Sequence, residues 1–446
     1  MRSMIAFLQR LAWPGLFFLL TACAHVPVAD SLADAPPLTG WTEDFDAPRL
    51  GALVEEALSN HPSIKASLAR VSAARARLRV SGAALLPGVD LGASAGRSRT
   101  NSRGREVTIS RFALTGEVSW EADLWGRLRQ REAAALGEAR AARADLAAAR
   151  LLLAGQVAKA WFAAVEASSQ AALAEREVEN FAATLKIIRR RYEAGIGDAL
   201  DVRLASGNLD SARANAALRR QRVDATRRAL EQLLGRYPEG ALHPAGGLPG
   251  LSAAVPADLS VELVHRRPDV RASLARLRAA LHRSEDAARN YLPAIRLTGN
   301  GGVASAALKD LLDVDSLIWS ITASLTQPLF HGDRLRAERT LAQAGVSEAL
   351  YNYADRLMRA FQEVETALAA EPMLRERVAH FEQAAADLEA AERLALSRYQ
   401  AGLATITSLL DTRRRAFNFR ANLLASKLNL LNNRVDLYLA LGGGYR

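Results

Sequence analysis

A single cysteine, Cys23, stands in 446 residues, so no internal disulfide can staple this chain. Aromatic residues make up only 6% while half of all residues are hydrophobic, and alanine is abundant. That balance favours long helices in close contact over a bulky globular core. Lysine is nearly missing: five lysines leave arginine to supply 53 of the 58 basic residues behind a net charge of +10. The arginines are spread through helical stretches and interleaved with glutamate, without the dense basic tracts or aromatic platforms that nucleic-acid binding requires. They read as solvated helix faces, and nucleic acid is not an expected partner.

Motifs that carry chemistry are equally sparse. The histidines (His25, His61, His243, His265, His282, His331, His380) are scattered, with no HExxH and no paired metal-ligand spacing. No lysine follows a glycine-rich run as a phosphate loop requires, and Gly442 to Gly444 has no strand–helix unit to bind a dinucleotide. One match to GxSxG, Gly92 to Gly96, places Ser94 in an alternating strand pattern followed by a polar loop. A nucleophile elbow needs a sharp strand-to-helix turn there. The expectation is a protein that is not an enzyme and holds neither metal nor cofactor.

What is present begins at the N-terminus. Arg2 and Arg10 precede the apolar run LAWPGLFFLL, which is too short to span a bilayer, and small residues follow. This is the pattern of a secretory signal, residues 1–22. Leu20-Thr21-Ala22-Cys23 resembles the bacterial lipobox, whose thiol takes a diacylglycerol, so Cys23 is the expected lipidation site. Ala24 follows, without the aspartate of inner-membrane retention. The Pro-, Ala- and Asp-rich stretch to Pro48 reads as an extended tether.

The chain also repeats itself. PSIKASLAR (Pro62 to Arg70) returns 206 residues later as PDVRASLAR (Pro268 to Arg276), and RYEAGI (Arg191 to Ile196) returns 207 later as RYQAGL (Arg398 to Leu403). Leu234-Gly235 likewise matches Leu441-Gly442. Residues 60–236 and 266–442 are therefore expected to be two copies of one unit, joined by a Pro/Gly-rich linker, 237–265. Residues 23–59 precede them as tether and equatorial segment, and 443–446 form the tail.

Each copy opens with strands, at about 88–124 and 294–330. Val89, Leu91, Ala93 and Ala95 alternate with Asp90, Gly92, Ser94 and Gly96; Leu317, Trp319, Ile321, Ala323 and Leu325 alternate with small polar residues. Long strands that are apolar on one side and polar on the other fit a membrane barrel with a wet lumen, or a half-buried soluble sheet. Two strands per copy cannot close a barrel, and open edges in lipid leave backbone groups unsatisfied, so a membrane reading obliges several chains to pool their strands.

Helical hairpins follow, at about 127–236 and 334–442. Arg127 to Arg191 contains no proline, and ~1.5 Å per residue makes it roughly 100 Å long. Its mate, Arg334 to Arg398, contains Pro372, which predicts a kink or an interruption. Gly195 and Gly402 stand where a left-handed helix C-cap is wanted, and Asp198 and Thr405 three places later suit N-caps of the return helices. The segments Ser63 to Ala84 and Asp269 to Asn290 are expected to stack on the shorter return helices.

Lipobox, duplicated strand-pair and hairpin unit, paired RYxxG tips and the ending Leu441-Gly442-Gly443-Gly444-Tyr445 together resemble the outer-membrane efflux factors. The likeness is to the TolC/OprM group and its NodT-type lipoprotein branch. Tyr445 departs from the usual tryptophan. The resemblance implies an α+β membrane protein: a homotrimer whose four strands per chain make a twelve-stranded β-barrel, continuous with a periplasmic twelve-helix α-barrel. It implies a passive exit duct of the Gram-negative outer membrane, lipid-anchored, working with a periplasmic adaptor and an inner-membrane RND-type pump. Arg191, Tyr192, Gly195, Arg398, Tyr399 and Gly402 match the tip motif that meets the adaptor. Asp411 and Arg414 match positions that hold the periplasmic end shut, Asp201 is a further candidate, and the family's leucine constriction falls on Thr407. Alternatives are a type I protein-secretion duct, which shares the fold, and a periplasmic coiled-coil scaffold without a pore.

Overall fold

The computed structural model of the chain describes residues 40–102, 105–244, 246–251 and 262–443. The signal segment, Cys23 and Tyr445 lie outside the described residues. Two short helices, α1 (Leu50–Asn60) and α2 (Pro62–Ala83), lead into β1 (Gly88–Ser102) and β2 (Arg105–Ala122). The hairpin of α3 (Arg127–Glu193) and α4 (Ala199–Leu233) follows, then α5 (Pro268–Arg289), β3 (Ala294–Ser305), β4 (Leu317–Thr326), α6 (Arg334–Gln400) and α7 (Ile406–Ala440). Corresponding helices have equal lengths: 22 residues in α2 and α5, 67 in α3 and α6, 35 in α4 and α7.

The long helices form because alanine, leucine, arginine and glutamate all favour helix and far outnumber the interior Gly137, Gly155, Gly345 and Pro372. Pro372 does not interrupt α6, which runs unbroken from Arg334 to Gln400. Two polar side chains of α7 pack beside this turn. Asn433 Nδ2 of α7 donates to the Ala367 carbonyl at 2.9 Å, and Arg434 donates to the buried Glu371 carboxylate at 2.6 Å.

Each long helix packs on two short ones, α3 on α2 and then α4, α6 on α5 and then α7. The short ones meet end to end. Gly235, at φ 74, closes α4 so tightly that a Cβ there would lie 3.2 Å from the backbone of Asn60, the end of α1 just before α2. Gly442, at φ 82, closes α7 against Arg267 in the same way, with 3.1 Å to its Cα. With α3 also packing on α5 and α7, any level of the hairpins shows four helices side by side.

The largest apolar cluster lies halfway along. Trp41 stacks on Tyr438 at 5.5 Å between centroids, and Phe45 meets Phe162 at 5.1 Å, with Leu50, Val54 and Val157 fully buried around them. Phe45 also bridges Leu251, tying the segment before α1 to the central linker. Glu231 accepts from Gly240 N at 2.6 Å and Leu242 N at 2.8 Å, folding that linker back on α4. This cluster also claims the apolar middle of α3, the one described helix with a window long and apolar enough to cross a membrane.

Candidate functional site

At the far ends of the hairpins the two copies build the same turn. Gly195 N and Ile196 N donate to Tyr192 O and Arg191 O at 2.9 and 3.0 Å; Gly402 N and Leu403 N donate to Tyr399 O and Arg398 O at 3.0 and 2.9 Å. Both glycines sit at φ 76, where other residues are strained. Asp198 Oδ1 accepts from Leu200 N at 3.0 Å, and Thr405 Oγ1 accepts from Ser408 N at 3.3 Å, so both predicted N-caps form.

The tip side chains break this symmetry. Arg191 Nη1 donates to the Tyr399 carbonyl at 2.9 Å, and its guanidinium lies 5.2 Å from the centroid of the Tyr399 ring. Tyr399 is buried, whereas Tyr192 is 49% exposed. Arg398 is exposed as well. Around them Ile196, Leu200 and Leu403 are exposed, Leu403 at 79%. The sequence reading passed over these three apolar residues, although Ile196 and Leu403 close the repeated RYxxG motif. Asp201, in the first turn of α4, brings a negative charge near Tyr399.

One to two turns into α7, Asp411 accepts from Arg414 at 2.7 Å and from Arg415 at 2.8 Å, both on its own helix. Those guanidiniums hold its carboxyl below the ordinary range. Thr407 is exposed, its hydroxyl 2.9 Å from that of the cap residue Thr405. The structure therefore groups Asp411 with Arg414 and adds Arg415, which the sequence reading missed.

Arg413, on the inner face of the same turn, was missed as well. It is 5% exposed and donates to the Asn180 carbonyl at 2.7 Å and to the Thr184 hydroxyl of α3. Its Nε lies 3.5 Å from Glu392 of α6, which also receives Arg420 at 3.3 Å. Glu177 of α3 completes the cluster. Burial, followed by the Glu392 charge, pushes its carboxyl up to about 7, against the opposing pull of Arg413. Repetition could not reveal this cluster, because the first copy carries Leu185 and Ser206 where Glu392 and Arg413 stand.

The sheet, in order β1-β2-β3-β4, is antiparallel throughout with both outer edges unpaired. Its register aligns Val89, Val118, Gly299 and Ile321 in one row, and Ala93, Leu114, Val303 and Leu317 in another. All the predicted apolar positions thus fall on one face. The opposite face carries Asp90, Glu117, Asn300 and Ser320 in one row. Ser94 is paired with Ala113 inside this ladder, which leaves no elbow for a nucleophile. Among the described residues no His, Cys, Asp and Glu grouping fit for a metal occurs.

Against known proteins, the profile of the family described as outer membrane efflux protein matches residues 53–236 and 259–443. A pyoverdine export outer membrane protein, OpmQ of Pseudomonas putida, is 30% identical over 433 residues, covering 93% of this chain and 90% of that one. The toluene efflux pump outer membrane protein TtgF, also of Pseudomonas putida, is 31% identical over 413 residues, covering 91% and 85%. The solved outer-membrane channel OprN superposes with a TM-score of 0.87 at 27% identity, over 91% of this chain and 92% of that one.

Proposed function

The chain belongs to the outer membrane efflux protein family and is an efflux channel of the Gram-negative outer membrane rather than an enzyme; from that premise we propose that three copies close one duct. Each would give four strands to a twelve-stranded barrel and four helices to a tunnel beneath it. The carrying observation is the four-stranded sheet with one apolar face and two unpaired edges. Unsatisfied backbone groups cost several kcal/mol each in lipid, so the edges must find partners, and only other copies offer matching strands. Equal helix lengths in the two halves support an internal repeat, hence six near-equivalent hairpins per trimer. On that symmetry the exposed Arg398 of one protomer meets the exposed Tyr192 of the next, as Arg191 meets Tyr399 within a chain.

The duct works with a periplasmic adaptor and an RND-type inner-membrane pump, which supplies direction; the channel itself supplies a wet path. Exposed Ile196, Leu200 and Leu403 beside the turn glycines support the tips as the adaptor's docking surface. Asp411 and Arg414, with Thr407 and Asp201 nearby, form the closure at the periplasmic end. Cys23 carries the lipid anchor. The cargo is a small molecule; pyoverdine export and toluene efflux are named for relatives of near-equal similarity.

Native mass spectrometry of detergent-solubilised protein tests the assembly: a trimer is expected, and a stable monomer refutes the shared barrel. In planar bilayers, Asp411→Asn with Arg414→Gln is expected to raise conductance, and unchanged conductance removes these residues from the closure. Labelling with palmitate, abolished by Cys23→Ser, checks the anchor.

A further inference from the structure

On the apolar face of the sheet no charge occurs from Ile295 and Leu325 at the helix side up to the row of Ala95 and Phe112. Along β2 that band runs from Ala122 to Phe112, about 34 Å of strand. At the usual tilt of ~40° this is about 25 Å of height, the apolar belt of an outer-membrane barrel. The two rows directly beyond it are Arg97 opposite Ser110 and Arg99 opposite Thr108. Both arginines project to the same side as Val89 and Leu91, because they continue that alternation. Both are exposed. Arg99 pairs with Glu106, whose side chain is itself well exposed, and Arg97 has no carboxylate in reach among the described residues. At the helix end the same face carries Trp120 and no cation at all.

We propose that Arg97 and Arg99 form a binding site for the phosphate groups of the glycolipid in the outer leaflet. The proposal rests on the barrel reading, which sets this rim at headgroup level on the lipid side. Residues two apart on one strand face stand ~7 Å from one another, so both guanidiniums reach one phosphorylated headgroup. Guanidinium is the side chain best matched to phosphate, donating two parallel hydrogen bonds in a planar fork. The occupant is the bilayer's own anion: a free solute has no reason to lie against an apolar belt, whereas a lipid keeps its chains on Val89, Leu91 and Phe112 and its phosphates on the arginines. A competitor exists in the trimer, where β4 of a neighbour adjoins β1 and its preceding loop carries Asp310, Asp313 and Asp315.

The test is a native mass-spectrometric titration of the full-length detergent trimer with diphosphoryl lipid A. Dephosphorylated lipid A, phosphatidylglycerol and inorganic phosphate serve as comparison ligands. Wild type is expected to take diphosphoryl lipid A, and Arg97→Ser with Arg99→Thr to bind it about thirtyfold more weakly, at roughly fivefold per basic side chain. Arg111→Ser, on the polar face, binds as wild type does, and Glu106→Gln, which frees Arg99, binds more tightly. Equal affinity of the double variant, or equal binding of the dephosphorylated lipid, overturns the site. Phosphatidylglycerol binding as tightly overturns the glycolipid assignment, and displacement by millimolar inorganic phosphate overturns the lipid. If the double variant falls apart to monomers in lipid-free detergent while wild type does not, the arginines hold the neighbour's acidic loop instead. A wild-type chain that is itself monomeric there overturns the barrel reading, and this site with it.

Discussion

Replacing Glu177 by glutamine isolates the buried charge cluster near the hairpin tips. Glu177 is 7% exposed and faces Glu392 of α6, Arg413 and Arg420 of α7, and Asn180 of its own helix. Burial and the Glu392 charge raise its carboxyl from 4.5 to about 7. The sign follows from proton binding: between those two values the folded chain holds a proton that the unfolded chain has released. The stabilisation is fully present below 4.5 and is lost as the pH rises through 7. Its size is about 3 kcal/mol per chain.

Glutamine keeps the shape and stays neutral, so Glu177→Gln should match wild type at pH 4, below the ordinary value of 4.5, and exceed it at pH 8. With an unfolding entropy of about 0.9 kcal/mol per kelvin for a chain of this size, the gain is about 3 °C in apparent Tm. The assay is scanning fluorimetry of the detergent-solubilised protein at one fixed scan rate, comparing the two proteins at each pH, since unfolding of large membrane proteins is rate-governed. Parallel curves for the two proteins from pH 4 to 8 would refute the assignment of a raised carboxyl to this cluster.

Arg434→Ala removes the buried partner of Glu371 and leaves it only the half-exposed Arg375 and Asn433, which should cost about 2–3 kcal/mol. Arg434→Met with Glu371→Leu should recover most of that in the same melting assay, and failure to recover would mean that the pair does more than neutralise itself. Gly195→Ala and Gly402→Ala meet no steric obstacle, because nothing lies within 4 Å of the added carbon. Each should therefore show only the left-handed backbone cost of about 1–2 kcal/mol, seen as faster amide exchange in the tip turns; unchanged exchange would place the strain elsewhere. Brominated lipid should quench Trp319, which is 76% exposed on the apolar face, and spare the buried Trp41 and Trp161; equal quenching of all three would contradict the strand orientation.

Much of this was legible in the sequence. The two-residue alternation from Val89 to Ala95 identified the strand face because side chains on a pleat have no other choice. The RYxxG repeats located the turns because a helix end needs a positive φ that glycine supplies. The continuity of α6 through Pro372 was not legible, since proline interrupts most helices and the packing of α7 beside that turn comes from some sixty residues away in the chain. Glu177 and Arg413 were invisible for a related reason. In an arginine- and glutamate-rich helix a buried charge looks like its solvated neighbours until packing shows which face is turned inward. The docking of α4 on α2 and of α7 on α5 was readable only as an arithmetic of lengths; the contacts at Gly235 and Gly442 make it physical.

Where the two copies differ carries as much meaning as where they agree. At the level of Asp411, Arg413, Arg414 and Arg415 in α7, the matching positions of α4 hold Leu204, Ser206, Gly207 and Asn208. The first hairpin packs there through the buried Ala205, Leu209 and Ala212, while Gly207 is exposed and a Cβ there would meet nothing within 4 Å. The second is fixed on α3 through Arg413 and keeps Asp411 and two further arginines on its outer side. Ion pairs re-form with other partners at modest cost when exposed, as Asp411 and Arg414 are, whereas an apolar seam must be broken outright. Both hairpins share one apolar cluster at this level, with Ile406, Leu409 and Leu410 of α7 buried in it, and the second alone adds a buried arginine contact and an outer ion pair. On the gate reading, the second hairpin is the one whose outer ion pairs would exchange partners when an adaptor docks. Glu177 of α3 meets Arg413 of α7 at that level, so on the same reading its charge state would bear on the motion.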